Sequence, residues 1–154
     1  MFIIWNALQR KNEGFPMNYW LICLPRADLD HCIKIGTFGL SRKHIIGDIK
    51  KGDKVVCCAA KGDWKFVAAG EATSDYYIDD SAVFLKEGTF PDRFDFNAER
   101  FAEELDLMQV IDQLSFVTNL AFWAVYFRNG IAKLTKADWE LIMTQFQKRQ
   151  RVRS

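Results

Sequence analysis

Two short, unbroken apolar runs constrain this chain more than anything else in it. "MNYWLICLP" reads as a buried strand over residues 18–24, and "KKGDKVVCCAA" as a turn at Gly52-Asp53 feeding a β-branched strand over 54–60. Both fall far short of the ~20 apolar residues that span a bilayer, so no transmembrane helix is expected. Cys57 and Cys58 are adjacent in the second run and therefore point to opposite faces of its strand.

The segments around these strands are equally short. "RADLDHCIKIG" reads as a helix entered after Pro25 and ended by Gly36 as a left-handed C-cap. "SRKHIIGDI" suggests a second helical turn with Ser41 as its N-cap. "WKFVAAGEATS" is the next strand, with small residues near Gly70 for a bend or a close neighbour. Residues 75–90 read as a loop or irregular edge, and "PDRFDFNAE" alternates Phe94 and Phe96 with charges as a half-buried strand does. "DLMQVIDQL" has helical spacing, "FWAVYF" reads as a strand, "RNG" as a tight turn with positive φ at Asn-Gly, and "IAKL" as a short return. In "LTKADWELIMTQF", Thr135 and Asp138 form a capping box, and Leu141, Ile142 and Phe146 give the final helix its apolar face.

Five or six short strands interleaved with short helices predict a mixed α/β (α+β) sheet curled toward a barrel. The spacing is too short for the crossover helices of a doubly wound parallel sheet. A length of 154 residues suits one domain. We expect an extension over 1–16, a domain over 17–147, and a basic tail over 148–154 that reads equally as a linker or a solvated helix end. Phe2, Ile3, Ile4 and Trp5, if ordered, need an apolar cover. Residues 1–16 lack the charge order and cleavage site of a secretory signal, which together with four unpaired-looking cysteines places the protein in the cytoplasm.

No C-x-x-C spacing and no cysteine–histidine set points to zinc, so no metal or other cofactor is expected. Asp79-Asp80 and Glu103-Glu104 read as solvated acids rather than a magnesium site. No nucleophile motif or phosphate loop is present, and nothing in the chain calls for an enzyme. Charge is segregated instead: residues 26–65 carry nine basic and five acidic side chains, residues 66–112 three and twelve, and residues 113–154 seven and two. A fold that joins the two basic flanks would offer a face to nucleic acid.

"GTFGLSRKH", residues 36–44, places an aromatic between glycines and follows it with cations. Phe38 there is either core filling or the wall of a pocket, with Gly39 and Ser41 letting a base approach and Arg42, Lys43 and His44 as a basic rim.

The order of four blocks, "YWLICLP", "GTFGLSRKH…IKKGDKVV", "FVAAGEATSDYYID" and "FVTNLAFWAVYFRNGIAKLTKADWELI", resembles the EVE domain family over roughly residues 17–146. The resemblance implies a PUA-like fold, a small mixed β-barrel flanked by short helices and related to YTH readers of methylated adenine. It implies a non-enzymatic module that flips a modified cytosine or adenine, in DNA first and RNA as the alternative, into an aromatic pocket. On this reading Phe38 is one wall, although the family's usual residue there is tryptophan. Tyr76, Tyr77 or Phe84 is the second wall, and Pro25 lines the pocket. Trp20 and Trp123 match family aromatics and are read as pocket or core alike. Arg128 is the leading phosphate contact, with Arg26, Arg42, Lys43 and His44 beside it. The family also supplies specificity modules to restriction systems, so a nuclease or motor partner belongs to the expectation. The rival readings are an RNA-binding PUA-type module without a cage and a small ASCH-like ribonuclease.

Overall fold

The computed structural model describes residues 17–153, with side chains described through residue 147. The expectations for residues 1–16, and for the side chains of the basic tail, lie outside the described residues.

Seven strands and two α-helices make up the described chain. β1 (Tyr19–Pro25) runs into α1 (Arg26–Ile35), followed by β2 (Thr37–Leu40), a 3-10 turn over Ile45–Asp48, and the β3 (Lys54–Ala60) and β4 (Lys65–Ala72) hairpin. The two-residue β5 (Tyr77–Ile78) and the long β6 (Asp92–Asp106) come next. Three 3-10 segments lead to β7 (Ile131–Leu134) and α2 (Lys136–Arg153). The strand order is β2-β6-β4-β3-β1-β7, with β5 also on β6. β1 and β3 are parallel and the other pairings antiparallel. This is the mixed, curled sheet expected, and its two ends approach each other: a Cβ at Gly130, just before β7, would lie 3.4 Å from Leu40 and 3.8 Å from Phe38 of β2.

The period-two alternation of the strands sends side chains to two separate cores. On one face Tyr19, Leu21, Val56 and Cys58 pack under Trp139, Ile142 and Phe146 of α2. On the other, Trp20, Ile22, Val55 and Cys57 close the interior with Leu29 of α1, Phe38, Phe94 and Ile46. Cys57 and Cys58 thus lie on opposite faces, and each fully buried Phe, Leu, Ile or Val contributes ~1.5–3 kcal/mol. Small residues let the sheet curl: a Cβ at Gly70 would sit 1.7 Å from the Asn97 carbonyl oxygen. Among the described residues no helix is long and apolar enough to cross a membrane.

Local signals place several elements as expected. Gly36 ends α1 in the left-handed region, its N–H donating to Cys32 O. Thr135 and Asp138 form the reciprocal cap of α2, each backbone N–H donating to the other side chain at 3.0 Å. Other expectations are corrected. "FWAVYF" is not a strand but part of a 3-10 segment over Leu120–Phe127, opened by the Asn119 side chain and interrupted at Phe122. Its three-residue spacing turns Trp123 and Tyr126 onto the core. "DLMQVIDQL" forms two 3-10 turns rather than one helix, and only Gly130, not Asn129, takes positive φ in the "RNG" turn. Ser41 caps nothing, because the turn at Ile45–Asp48 begins after His44.

Candidate functional site

A cavity of about 640 Å³ opens where the two ends of the curled sheet meet. Its floor comes from the end of β1, with Cys23, Leu24 and Pro25, and from the first turns of α1, with Asp28 and Cys32. One side is the end of β2, Gly39, Leu40 and Ser41; the other is the segment before β7, with Phe127, Arg128 and Asn129. Trp64, Phe84 and Phe90 complete an aromatic lining.

The backbone is under tension here. Three non-glycine residues among those described hold φ in the left-handed region: Lys61 at 42°, Trp64 at 49° and Phe90 at 49°. All three line this cavity. Bulky residues avoid that region, and such strain persists where the surroundings enforce it, most often at functional sites. Trp64 is enforced by Leu107 N donating to its carbonyl and by edge-on rings, Trp123 at 4.8 Å and Phe127 at 5.8 Å. Phe84 lies edge-on to Phe90 at 5.9 Å and packs on the bare backbone of Gly39, where a Cβ would come within 2.9 Å of its ring. A glycine is required there.

A second, polar niche of about 200 Å³ adjoins the cavity. It shares Leu40, Ser41, Arg128 and Asn129 with the cavity and adds Arg42 and His44, whose Nε2 lies 3.5 Å from the Asn129 amide. Asp28 contributes a carboxylate to the cavity and raises the Cys32 thiol, which burial in the first place pushes up to about 12. Such a thiol is protonated at neutral pH and is a poor nucleophile. Among the described residues no three His, Cys, Asp or Glu side chains gather as a metal ion needs.

The structure brings Pro25, Gly39, Ser41, Phe84 and Arg128 to the cavity and Arg42 and His44 to the niche. It places Phe38 and Trp20 elsewhere. Phe38 is 0% exposed and packs on Phe94 in the closed interior, because alternation along β2 turns its ring inward while Gly39 faces the cavity. Trp20 is equally buried, its Nε1 donating to Asp53 at 2.9 Å. Tyr76 and Tyr77 spend their hydroxyls on Asp92 and Asp95; the bond to Asp92 raises the Tyr76 phenol, burial and then the bond to Asp95 raise that of Tyr77, and neither lines the cavity. Trp123 stands behind Trp64 rather than on the wall. Arg26 is committed to Glu104 through two 2.8 Å bonds and to Asp63, and the Lys43 ammonium sits over the Tyr76 ring at 5.2 Å. Sequence reasoning missed Trp64, Phe90 and Asp28. Only the "KGDW" turn signal could have drawn notice to the first.

The family model of the EVE domain matches residues 18–145. The chain belongs to the EVE domain family. No curated protein matches it. Solved structures similar to this EVE domain include a Pseudomonas putida protein, 14% identical, covering 83% of this chain and 99% of that one with a TM-score of 0.62. Human THYN1, solved in complex with 5-methylcytosine containing DNA, is 11% identical and covers 84% of this chain and 97% of its own with a TM-score of 0.58. The YTH domain of Zygosaccharomyces rouxii MRB1, in complex with N6-methyladenosine RNA, is 12% identical, covering 84% and 86% with a TM-score of 0.58. At these identities the likeness is one of fold, and it matches the PUA-like architecture of this EVE domain.

Proposed function

We propose that this EVE domain is a non-enzymatic reader of a modified base, in DNA first, and that the base leaves its stack to enter the cavity. The observation that carries the reading is the paired arrangement of an aromatic cavity and an adjoining basic niche that share one wall. A nucleotide has the same two halves. The base would lie against Phe84, Phe90 and Trp64, where stacking contributes ~1–3 kcal/mol per base. The phosphate would lie in the niche, against Arg128, Arg42 and His44.

The Asp28 carboxylate accepts hydrogen bonds and donates none, so it favours a base presenting an exocyclic amine. Cytosine, adenine and guanine do, and thymine and uracil do not. Backbone groups of Gly39 and Ser41 would take the remaining edge. The Cys32 thiol of this cavity is held protonated by burial and is a poor nucleophile. That two structurally similar proteins were solved with 5-methylcytosine DNA and N6-methyladenosine RNA supports the class of ligand. Equilibrium binding to short DNA and RNA oligonucleotides, single- and double-stranded, with modified and plain cytosine and adenine, tests the reading. We expect one modified DNA to exceed its plain counterpart. Equal binding throughout would refute the reading, and cleavage of labelled RNA would convert it to the ribonuclease alternative.

A further inference from the structure

Arg93 is an arginine only 2% exposed, at the start of β6, and neither compartment includes it. A guanidinium taken out of water needs its donors satisfied. Here nearly all the acceptors come from one segment, the loop between β5 and β6. Nε donates to Phe90 O at 3.0 Å, Nη1 to Ser81 Oγ at 3.1 Å, and Nη2 to Thr89 O at 2.6 Å and to Ser81 O. Asp79 adds a charge at 3.5 Å. The Phe84 ring covers the guanidinium, 5.0 Å from Cζ to the ring centroid.

We propose that Arg93 is the positioning residue of the cavity's aromatic wall. The fork spans both limbs of the loop, so Ser81 on one side and Thr89 and Phe90 on the other hold one fixed separation. Phe90 gives the argument its force. Its left-handed backbone aims its carbonyl at Arg93 Nε and against Gly39, where a Cβ would lie 2.6 Å from that oxygen. The hydrogen bond offsets the strain that turns Phe90 toward the cavity. Phe84 is then clasped between the cation and Gly39. If the loop swings away, the buried charge loses its partners, so the wall and the cation stand or fall together. His31, whose Nε2 donates to Val83 O at 2.7 Å, ties the loop's tip to α1 independently.

The ligand-binding part of this inference rests on the cavity being a base pocket; the positioning part does not. The test is Arg93→Lys, which keeps the charge but cannot reach four acceptors with one ammonium. Backbone amides over residues 81–90 should exchange with solvent roughly tenfold faster while those of β3 and β4 are unchanged, the mark of local rather than global opening. The preference for modified over plain oligonucleotide should fall roughly tenfold, with the salt dependence of binding, which phosphate contacts set, unaltered. Unchanged loop exchange, or unchanged preference in a loosened loop, would overturn the inference. Should Arg93→Lys fail to fold, Asp79→Asn with Ser81→Ala removes two exposed partners and leaves the cation in place. It should shift both readouts in the same direction by a smaller factor, and no shift would be equally fatal. A wild-type protein that prefers no modified base, with a loop that still loosens in Arg93→Lys, would refute the base pocket alone.

Discussion

Phe38 and Phe94 meet inside the curled sheet with ring centroids 5.7 Å apart, both 0% exposed. Phe38→Ala should therefore cost about 3–5 kcal/mol of stability, the range for truncating a buried phenylalanine. Urea unfolding measures it. The milder Phe38→Leu should leave the ratio of modified to plain binding unchanged. A loss of that ratio in a folded Phe38→Leu would return the residue to the pocket wall.

Arg128 is exposed and borders both compartments. Arg128→Ala should weaken modified and plain oligonucleotides alike and reduce the slope of log affinity against log salt by about 1. Titrations at two or more salt concentrations read both effects. A selective loss for the modified base would assign Arg128 to base recognition instead.

Arg26 shows how an acidic partner removes a cation from service. Its side chain and that of Glu104 are each 32% exposed, so solvent screening holds their paired bonds to about 1 kcal/mol or less. Arg26→Ala should leave nucleic-acid affinity unchanged and lower the unfolding midpoint slightly. Weakened binding at every salt concentration would show that Arg26 exchanges Glu104 for phosphate.

Stability should fall in mild alkali. Burial pushes the Cys32 thiol up to about 12 and that of Cys57 higher, while the contact with Cys23, then burial, raises Cys58. Each folded value lies above the thiol's ordinary value near 9. The folded state therefore keeps protons that the unfolded chain releases, and this stability is complete below about pH 9 and lost above it. Lys54 works the opposite way: burial pushes its ammonium down to about 8, so its cost eases as pH rises toward about 10.5. One such group opposes three thiols and, above about pH 10, the raised phenols of Tyr19, Tyr76 and Tyr77. The urea midpoint should drop between about pH 9 and 10.5, and Cys57→Ala should lessen the drop. A midpoint rising through that range would contradict the assignment.

How legible each feature was depends on the range of the interactions that set it. The Thr135–Asp138 cap, the Gly36 terminus and the strand over 54–60 are decided by neighbours within a few residues, so the sequence displays them. β2 is a strand because β6 offers Asp92 to Asp95 as its partner edge, a contact across more than fifty residues. The same pairing fixes which way Phe38 points, and "GTFG" alone carries no sign of it. "FWAVYF" is apolar enough for a strand or a packed 3-10 turn, and only its three-residue spacing separates them. The curled sheet was readable from element lengths. The wall of Trp64 and Phe90 was not, because left-handed backbone at bulky residues is imposed by tertiary contacts and leaves no compositional trace.

The base-reading account is tested most directly by the affinity ratio of modified to plain oligonucleotide, measured for the wild-type protein and for Phe84→Ala. Phe84 lines the cavity, and losing its ring should remove about 1–3 kcal/mol of stacking. The account predicts a clear preference for one modified DNA in the wild type, largely lost in Phe84→Ala, with binding of the plain DNA unaltered. A preference that survives the loss of the ring would contradict it.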